Sequence, residues 1–563
     1  MDKQYMYIDG VQVELNGEKN VLEVAKKAGI EIPAFCYDPE LSIYGACRMC
    51  VVENEWGGID ASCSMVPKAD MKIKTNTPKL RKYRKMVLEL LLANHCRDCT
   101  VCAKSGKCKL QEFALKFGLT DVRFPNNVKM NGAIDRTSVS ITRDSSKCIL
   151  CGKCVRMCEE VQSIGAIGYG YRGSKMKIVT AFDKGLVDSP CVGCGQCAKV
   201  CPTGAIVIKD DASKVWDALG DANTEVSVQV APAVRVALGK EFGLKEGDDF
   251  MGKLVTALRK IGFDKVYDTT LGADMTTIEE ANEFLSRLKN GGKFPMFTSC
   301  CPAWIRFAEN EYPDLLDNIS TCRSPMEMFA STIKESYEGE KKHVHVAIMP
   351  CTAKKYEAKR DEFKDANGNS YVDYVLTTQE IIAMIKTAGI DFANLEETSL
   401  DDPYAMITGS GVLFGVTGGV TESVLRYVLS ASSEEAIQKI AFTGVRGLEG
   451  VKEATVKVGD KELKFAIVSG LANTRSLIEK ILSGEAYYDL IEVMTCPGGC
   501  INGAGQPVAD LYERMERSKG IYQSDVCTEK KEANQNVIVK ELLAGKLKGR
   551  EHELLHVHYK KKN

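Results

Sequence analysis

The chain has 563 residues, room for three or four domains and a large core around buried cofactors. Its 74 basic and 76 acidic residues nearly cancel, which argues against nucleic acid or an anionic membrane surface as partner. The opening "MDKQYMYIDGVQVELNG" lacks the basic-then-apolar pattern of a leader, and no later run is apolar for long enough to span a bilayer, so a cytoplasmic protein is expected.

In chain order, "YMYIDGVQVEL" alternates like two strands turning at Asp9 and Gly10, and "NVLEVAKKAGI" reads as a short helix. The first of the 23 cysteines follow: Cys36, Cys47, Cys50 and Cys63. Four thiolates on a loop between a helix and strands suit a 2Fe-2S centre. Zinc is the competing reading, and the long gaps on either side of the CxxC count against it. This stretch resembles the 2Fe-2S domain of respiratory complex I and its relatives. After the helix "LRKYRKMVLELLLAN" comes "NHCRDCTVCAKSGKC", with His95, Cys99, Cys102 and Cys108 as candidate ligands of a 4Fe-4S centre and Cys96 as a bystander. It is similar to the His-Cys-Cys-Cys module that accompanies the complex I type domain. A neutral imidazole in place of one thiolate raises the potential of such a centre.

"CILCGKCVRMC" and "CVGCGQCAKVCP" both have the C-x2-C-x2-C-x3-C spacing of bacterial ferredoxins, in which the fourth cysteine serves the other cluster. Cys148, Cys151, Cys154 and Cys201 are therefore expected to hold one 4Fe-4S centre, and Cys191, Cys194, Cys197 and Cys158 a second. Two-residue gaps of this kind belong to cluster ligation and not to the disulfide framework of a small secreted domain.

From about residue 210 onward, strands and helices alternate. "VSVQVAP" is a strand followed by a helix from "AVRVALGKEF"; "KVYDTT" is a strand followed by a helix over "TTIEEANEFLSRLKN", where Thr276 and Glu279 read as a capping box. Three apolar runs close on cysteine: "PMFTSCC", "VAIMPC" and "LIEVMTCPGGC". Cys300, Cys301, Cys351, Cys496 and Cys500 thus lie at strand ends, the usual location of sites in open α/β sheets.

"TSCCPAW", "MPCTAKKYEA" and "EVMTCPGGCINGAGQP" resemble the three signature segments of the iron-iron hydrogenases, and with the cluster modules ahead of them the resemblance spans essentially the whole chain. It implies a hydrogen cluster: a 4Fe-4S cubane on Cys301, Cys351, Cys496 and Cys500, with Cys500 bridging to a two-iron unit that carries CO, cyanide and a dithiolate bridge. It makes Cys300 the proton donor and acceptor, places Glu280, Ser320 and Glu283 on the outward relay, and sets Lys354 against a cyanide ligand. Pro232, Ala233, Met326, Met349, Phe414 and Met494 would wall the two-iron unit. Periodicity alone reads differently, because Ile278, Ala281, Leu285 and Leu288 form an apolar stripe that leaves both glutamates on a solvated face. The chain also departs from the family's common pattern, with Met326 for glutamine, Ala233 for serine and Ala504 for glycine.

The expected architecture is multidomain, α+β and α/β. A ferredoxin-like 2Fe-2S domain covers 1–83, a His/Cys 4Fe-4S domain 84–137, a two 4Fe-4S ferredoxin domain 138–209, and a large α/β catalytic domain 210–563. One 2Fe-2S cluster and three accessory 4Fe-4S clusters would relay electrons between the hydrogen cluster and ferredoxin or flavodoxin. The resemblance further implies a monomer that receives its two-iron unit from maturation proteins and interconverts H2 with protons and electrons. The rival readings are a hydrogen sensor or non-catalytic iron-sulfur relative, and an electron-transfer subunit of a complex I like assembly. Cys96, Cys322 and Cys527 have no assigned role.

Overall fold

The computed structural model describes residues 3–125, 134–429, 444–458 and 461–561. It divides into two compact units. One comprises Met1–Val161, Gly165–Ser189 and Cys197–Val207; the other comprises Gln162–Ile164, Pro190–Gln196 and Ile208–Asn563. Among the described residues, no helix is long and apolar enough to cross a membrane.

The first unit opens with the expected hairpin. Strands Tyr5–Ile8 and Val11–Glu14 pair antiparallel across Asp9 and Gly10, whose φ angles of 50° and 85° suit the mirror-image turn of a two-residue hairpin. Five short strands form one sheet in the order Val11–Glu14, Tyr5–Ile8, Lys72–Lys74, Val51–Asn54, Ile59–Ala61. Helix Val21–Lys27 packs its apolar side into that sheet's core, and its first turn is capped by Asn20, whose side chain accepts from the Glu23 amide at 3.0 Å. Helix Pro78–Ala93 follows where the sequence placed it.

The second unit is built on two four-stranded sheets. The first is wholly parallel, in the order Lys265–Asp268, Thr224–Val230, Lys342–Met349, Tyr374–Thr377. The second runs Met296–Phe297, Leu490–Met494, Lys461–Ser469, Val451–Val458, and only the last pairing is antiparallel. Thr224–Val230, Lys342–Met349 and Leu490–Met494 are buried along nearly their whole length, which is why they read as continuous apolar runs.

Two helix expectations are corrected. "AVRVALGKEF" is not an α-helix. It forms two short 3₁₀ turns, Pro232–Val234 and Gly239–Phe242, with Arg235 between them reaching the buried Asp268 carboxylate. A Cβ on Gly239 would stand 2.2 Å from the Lys245 carbonyl oxygen, so the chain passes itself too closely there for a regular helix. The helix expected to begin at Thr276 starts six residues earlier and runs Thr270–Asn290. Its first amide is held by the Asp268 side chain at 2.9 Å, so Thr276 and Glu279 lie mid-helix and form no capping box.

That helix also refutes the solvated-face reading. It packs against helices Pro325–Ser336, Gly409–Leu413 and Gly419–Leu429, and Glu280 is fully buried while Glu283 is half-buried. Leu285, assigned to the apolar stripe, is instead 38 % exposed, and Phe284 takes the core position. A helix enclosed by neighbours on several sides along its first half does not follow a single apolar stripe.

Candidate active site

The parallel strands Thr224–Val230, Lys342–Met349 and Leu490–Met494 all point their carboxyl ends at one cavity, and the segments leaving them line it: Ala231–Ala233, Pro350 and Cys351, and Thr495 and Cys496. Its free space, about 80 Å³, is several times the roughly 10–15 Å³ that admits one water, so it is no packing defect. Cys300, Cys301, Cys351, Cys496 and Cys500 all border it, as do Lys354 and the six predicted wall residues Pro232, Ala233, Met326, Met349, Phe414 and Met494. Two glycines let the backbone close in. A Cβ on Gly503 would meet the Pro350 carbonyl oxygen at 2.1 Å, and Gly499 has φ +90° with the Thr417 amide 2.4 Å from any Cβ.

Burial raises the Cys300 and Cys500 thiols well above their ordinary value, yet both keep some accessible surface. Both sulfur-bearing residues line the cavity. Cys301 Sγ lies 3.3 Å from Thr495 Oγ1, and Gln196 Nε2 donates to Cys496 Sγ at 3.1 Å. Soft sulfur donors converging on a dry, apolar hollow suit an iron-sulfur centre, and hydrogen bonds to such sulfurs tune its potential. The donor set present therefore fits the group that the signature segments imply.

Behind Cys300 stands Glu280, whose two carboxyl oxygens are buried without a hydrogen-bond partner. Burial, and then the neighbouring Glu283, push it up to about 8; the Ser320 hydroxyl and Ser299 amide face it without closing a bond. Ser320 Oγ instead donates to Glu283 Oε2 at 3.1 Å, and the Thr321 amide and hydroxyl donate to the same oxygen at 2.9 and 3.0 Å. Arg287 grips the other oxygen of Glu283 at 2.5 and 3.1 Å. Cys300, Glu280, Ser320 and Glu283 thus run outward in that order, with a buried, unsatisfied carboxyl at the second position.

Lys354 Nζ donates to Glu357 Oε2 at 2.6 Å and to the Cys300 carbonyl at 3.3 Å. Ser324 Oγ donates to the same Glu357 oxygen at 3.0 Å. Glu327, one helix position after Met326, is fully buried with both carboxyl oxygens unpartnered, and burial pushes it up to about 8.

In the first unit, Cys36 and Cys47 sulfurs lie 3.4 Å apart, Cys50 immediately precedes strand Val51–Asn54, and Cys63 sits in the turn after strand Ile59–Ala61. His95 is buried with Nε2 lacking any hydrogen-bond partner, and burial lowers its pKa, so the ring is a neutral donor. Cys99 is exposed, while Cys102 and Cys108 are half-buried. Cys148, Cys151, Cys154 and Cys201 line one small pocket together, as their spacing predicts. Cys191 and Cys194 belong to the second unit, and Cys158 and Cys197 to the first.

Ala504 is buried beside the cavity-lining Gly503, with its methyl group facing the loop at Gly195. The sequence reading also missed Gln196, Thr269, Arg287, Thr321 and Thr495. Thr269 and Thr495 follow strand ends directly, which was the available signal; the others are placed only by packing.

The comparisons with known proteins agree with this layout. The pattern described as "Iron only hydrogenase large subunit, C-terminal domain" matches residues 224–504. A 2Fe-2S cluster binding domain matches 5–78, the NADH-ubiquinone oxidoreductase-G iron-sulfur binding region 84–123, and a 4Fe-4S dicluster domain 147–205. The chain is 42 % identical to the NADP-reducing hydrogenase subunit HndD of Solidesulfovibrio fructosivorans, over 99 % of this chain and 98 % of that one. It is 35 % identical to iron hydrogenase 1 of Clostridium pasteurianum, over 98 % and 99 % of the two chains. The solved FeFe hydrogenase HydA1 from Chlamydomonas reinhardtii is 35 % identical, with a TM-score of 0.54, covering 62 % of this chain and 98 % of that one. Given full-length similarity to two hydrogenases, the matching modules and the cysteine-lined cavity, the chain belongs to the iron-only, or FeFe, hydrogenases.

Proposed function

We propose that this chain catalyses the reversible interconversion of H2 with protons and electrons at the cysteine-lined cavity. The observation that carries the reading is Cys300: it lies on the cavity wall beside Cys301, with the unsatisfied Glu280 carboxyl behind it. Cys301, Cys351, Cys496 and Cys500 would hold the cubane, with Cys500 shared with the two-iron unit. When bound, the hydrogen cluster supplies the redox-active iron at which H2 is formed or split. Cys300 Sγ holds a proton at the cavity, kept on the sulfur by burial. Glu280 takes or returns it, poised to do so near neutral pH with a pKa of about 8. Ser320 and Glu283 carry it outward, with Arg287 fixing the Glu283 rotamer. Lys354, held charged by Glu357, presents a cation to the anionic diatomic ligands, and the apolar wall keeps water from the site.

The four accessory ligand groups, Cys36 with Cys47, Cys50 and Cys63, His95 with Cys99, Cys102 and Cys108, and the two ferredoxin-type sets, would pass electrons between this site and a ferredoxin or flavodoxin. A second electron partner is favoured by the 42 % identity to a subunit named as NADP-reducing, which suggests companion subunits that exchange electrons with a nicotinamide nucleotide. Maturation proteins would deliver the two-iron unit.

The deciding experiment is Cys300→Ala loaded with the synthetic diiron cofactor. The CO and cyanide infrared bands should persist while H2 evolution and oxidation fall by roughly two to four orders of magnitude, the range for loss of a positioned proton donor. Near-normal turnover with those bands present would refute the proton role of Cys300.

A further inference from the structure

Three side chains from distant parts of the chain meet at the outer end of the carboxyl line. Glu283 comes from helix Thr270–Asn290, Cys322 from the link before helix Pro325–Ser336, and His556 from the C-terminal segment. A carboxylate oxygen, a thiol sulfur and an imidazole nitrogen lie within 4.8 Å of one another. The backbone holds them there: Cys322 and His556 form an antiparallel bridge, with the Arg323 amide donating to the Leu555 carbonyl at 2.8 Å and the Val557 amide to the Thr321 carbonyl at 2.7 Å.

We propose that Glu283, Cys322 and His556 form a site for a zinc-type divalent cation at the outer mouth of the relay, and that filling it stops proton traffic. The donor chemistry selects the ion. One oxygen, one sulfur and one nitrogen donor make a zinc set, whereas calcium and magnesium take oxygen ligands alone. The hydrogen bonds already aim the donors. Arg287 occupies Oε1 of Glu283, while Oε2 accepts from the Ser320 hydroxyl, the Thr321 amide and the Thr321 hydroxyl, hydrogen bonds that a cation would have to share or displace, and the Thr321 hydroxyl also lies 2.8 Å from His556 Nδ1. The hydroxyl thus bridges two of the three donors where a cation would draw them together. On the far side of the ring, Nε2 lies 3.2 Å from Glu279 Oε2, the carboxylate–imidazole arrangement that orients metal-binding histidines.

Access runs from the C-terminal side: the side chains of His556, Glu279 and Glu283 are 10 %, 17 % and 15 % exposed, while Cys322 is sealed beneath them. The cation enters over the imidazole and carboxylate and reaches the sulfur last. As the metal–sulfur bond forms, the Cys322 S–H proton leaves to solvent, and a water carried in with the ion fills the fourth position. Carboxylate and thiolate then balance the dication. Binding at this cluster stands on its own geometry; the block of turnover rests on the proposed relay through Glu283.

Zinc chloride titrated into the holoenzyme tests both parts, with the zinc X-ray absorption edge read separately from iron. The expected result is about one tightly held zinc with a sulfur neighbour near 2.3 Å and nitrogen or oxygen neighbours at about 2.0–2.2 Å. Cys322→Ala should lose the sulfur shell and with it tight zinc binding, and His556→Gln should lose the bound zinc. Glu279→Gln should weaken binding about ten- to a hundredfold. H2 evolution should fall with occupancy and recover on chelation in the wild type, and be insensitive to the same zinc in Cys322→Ala. No bound zinc, or an identical sulfur shell in Cys322→Ala, would overturn the site. Zinc bound with the expected shell while turnover is unchanged would establish the site and overturn the relay through Glu283.

Discussion

Lys354 Nζ lies 2.6 Å from Glu357 Oε2 and 3.3 Å from the Cys300 carbonyl, so one cation ties the short helix Ala353–Glu357 to the cysteine pair. Burial works against the ammonium charge, but Glu357 outweighs it and holds the lysine pKa above its ordinary value. The two side chains are only 11 % and 2 % exposed, so each charge depends on the other.

Glu357→Gln should therefore destabilise the second unit by about 3–5 kcal/mol, the cost of leaving a buried charge unpaired. Chemical denaturation of protein lacking the two-iron unit, compared with wild type, checks the number. In loaded protein the cyanide infrared bands should also shift, because Lys354 loses the partner that positions it. Wild-type stability together with unmoved bands would show that the pair is dispensable.

Glu280 gives a pH prediction. Its carboxyl is raised from 4.5 to about 8, chiefly by burial, so the folded protein keeps a proton that the unfolded chain has lost. The stability this group contributes is complete below the unfolded value and is lost as pH rises through the window from 4.5 to about 8. Glu280→Gln removes that dependence. The mutant should gain on wild type by up to about 1.4 kcal/mol per pH unit inside the window, and by no more above it. Denaturation midpoints across the window measure it, and parallel curves would mean that Glu280 is not protonated in the fold.

His95→Cys should retain a 4Fe-4S signal but lower that cluster's potential, because an anionic thiolate replaces a neutral imidazole. The motive is the buried Nε2 that has no hydrogen-bond partner in the protein. Potentiometric EPR reads the change; unaltered potentials for every cluster would make His95 structural.

Met326 and Ala233 both line the cavity, at positions where the resemblance leads one to expect glutamine and serine. Restoring polar groups with Met326→Gln and Ala233→Ser should favour states with extra charge on the cofactor and so alter the balance of proton reduction and H2 oxidation. Protein-film voltammetry at fixed pH gives the ratio of cathodic to anodic current, and equal ratios in mutant and wild type would end the idea.

The sequence by itself determined the modules and which residues border the cavity. Cluster-binding spacings are local, so "CILCGKCVRMC" and "CVGCGQCAKVCP" announce their use without any fold around them, and Cys148, Cys151, Cys154 and Cys201 do share a pocket. Parallel strands buried on both faces read as continuous apolar runs, so the cysteines closing "VAIMPC" and "LIEVMTCPGGC" could be placed at strand ends and hence at a site. Only tertiary structure decided the rest. Glu280 reads as solvated on its own helix and is buried because the segments at Ser299, Cys300 and Ser320 close over it; "AVRVALGKEF" has helical composition but must turn twice to thread past its own backbone and bring Arg235 to Asp268. The meeting of Glu283 and Cys322 with His556, from the far end of the chain, leaves no trace in local pattern, because such contacts come from how the sheets and their covering helices pack, and each partner alone looks like an ordinary surface or core residue.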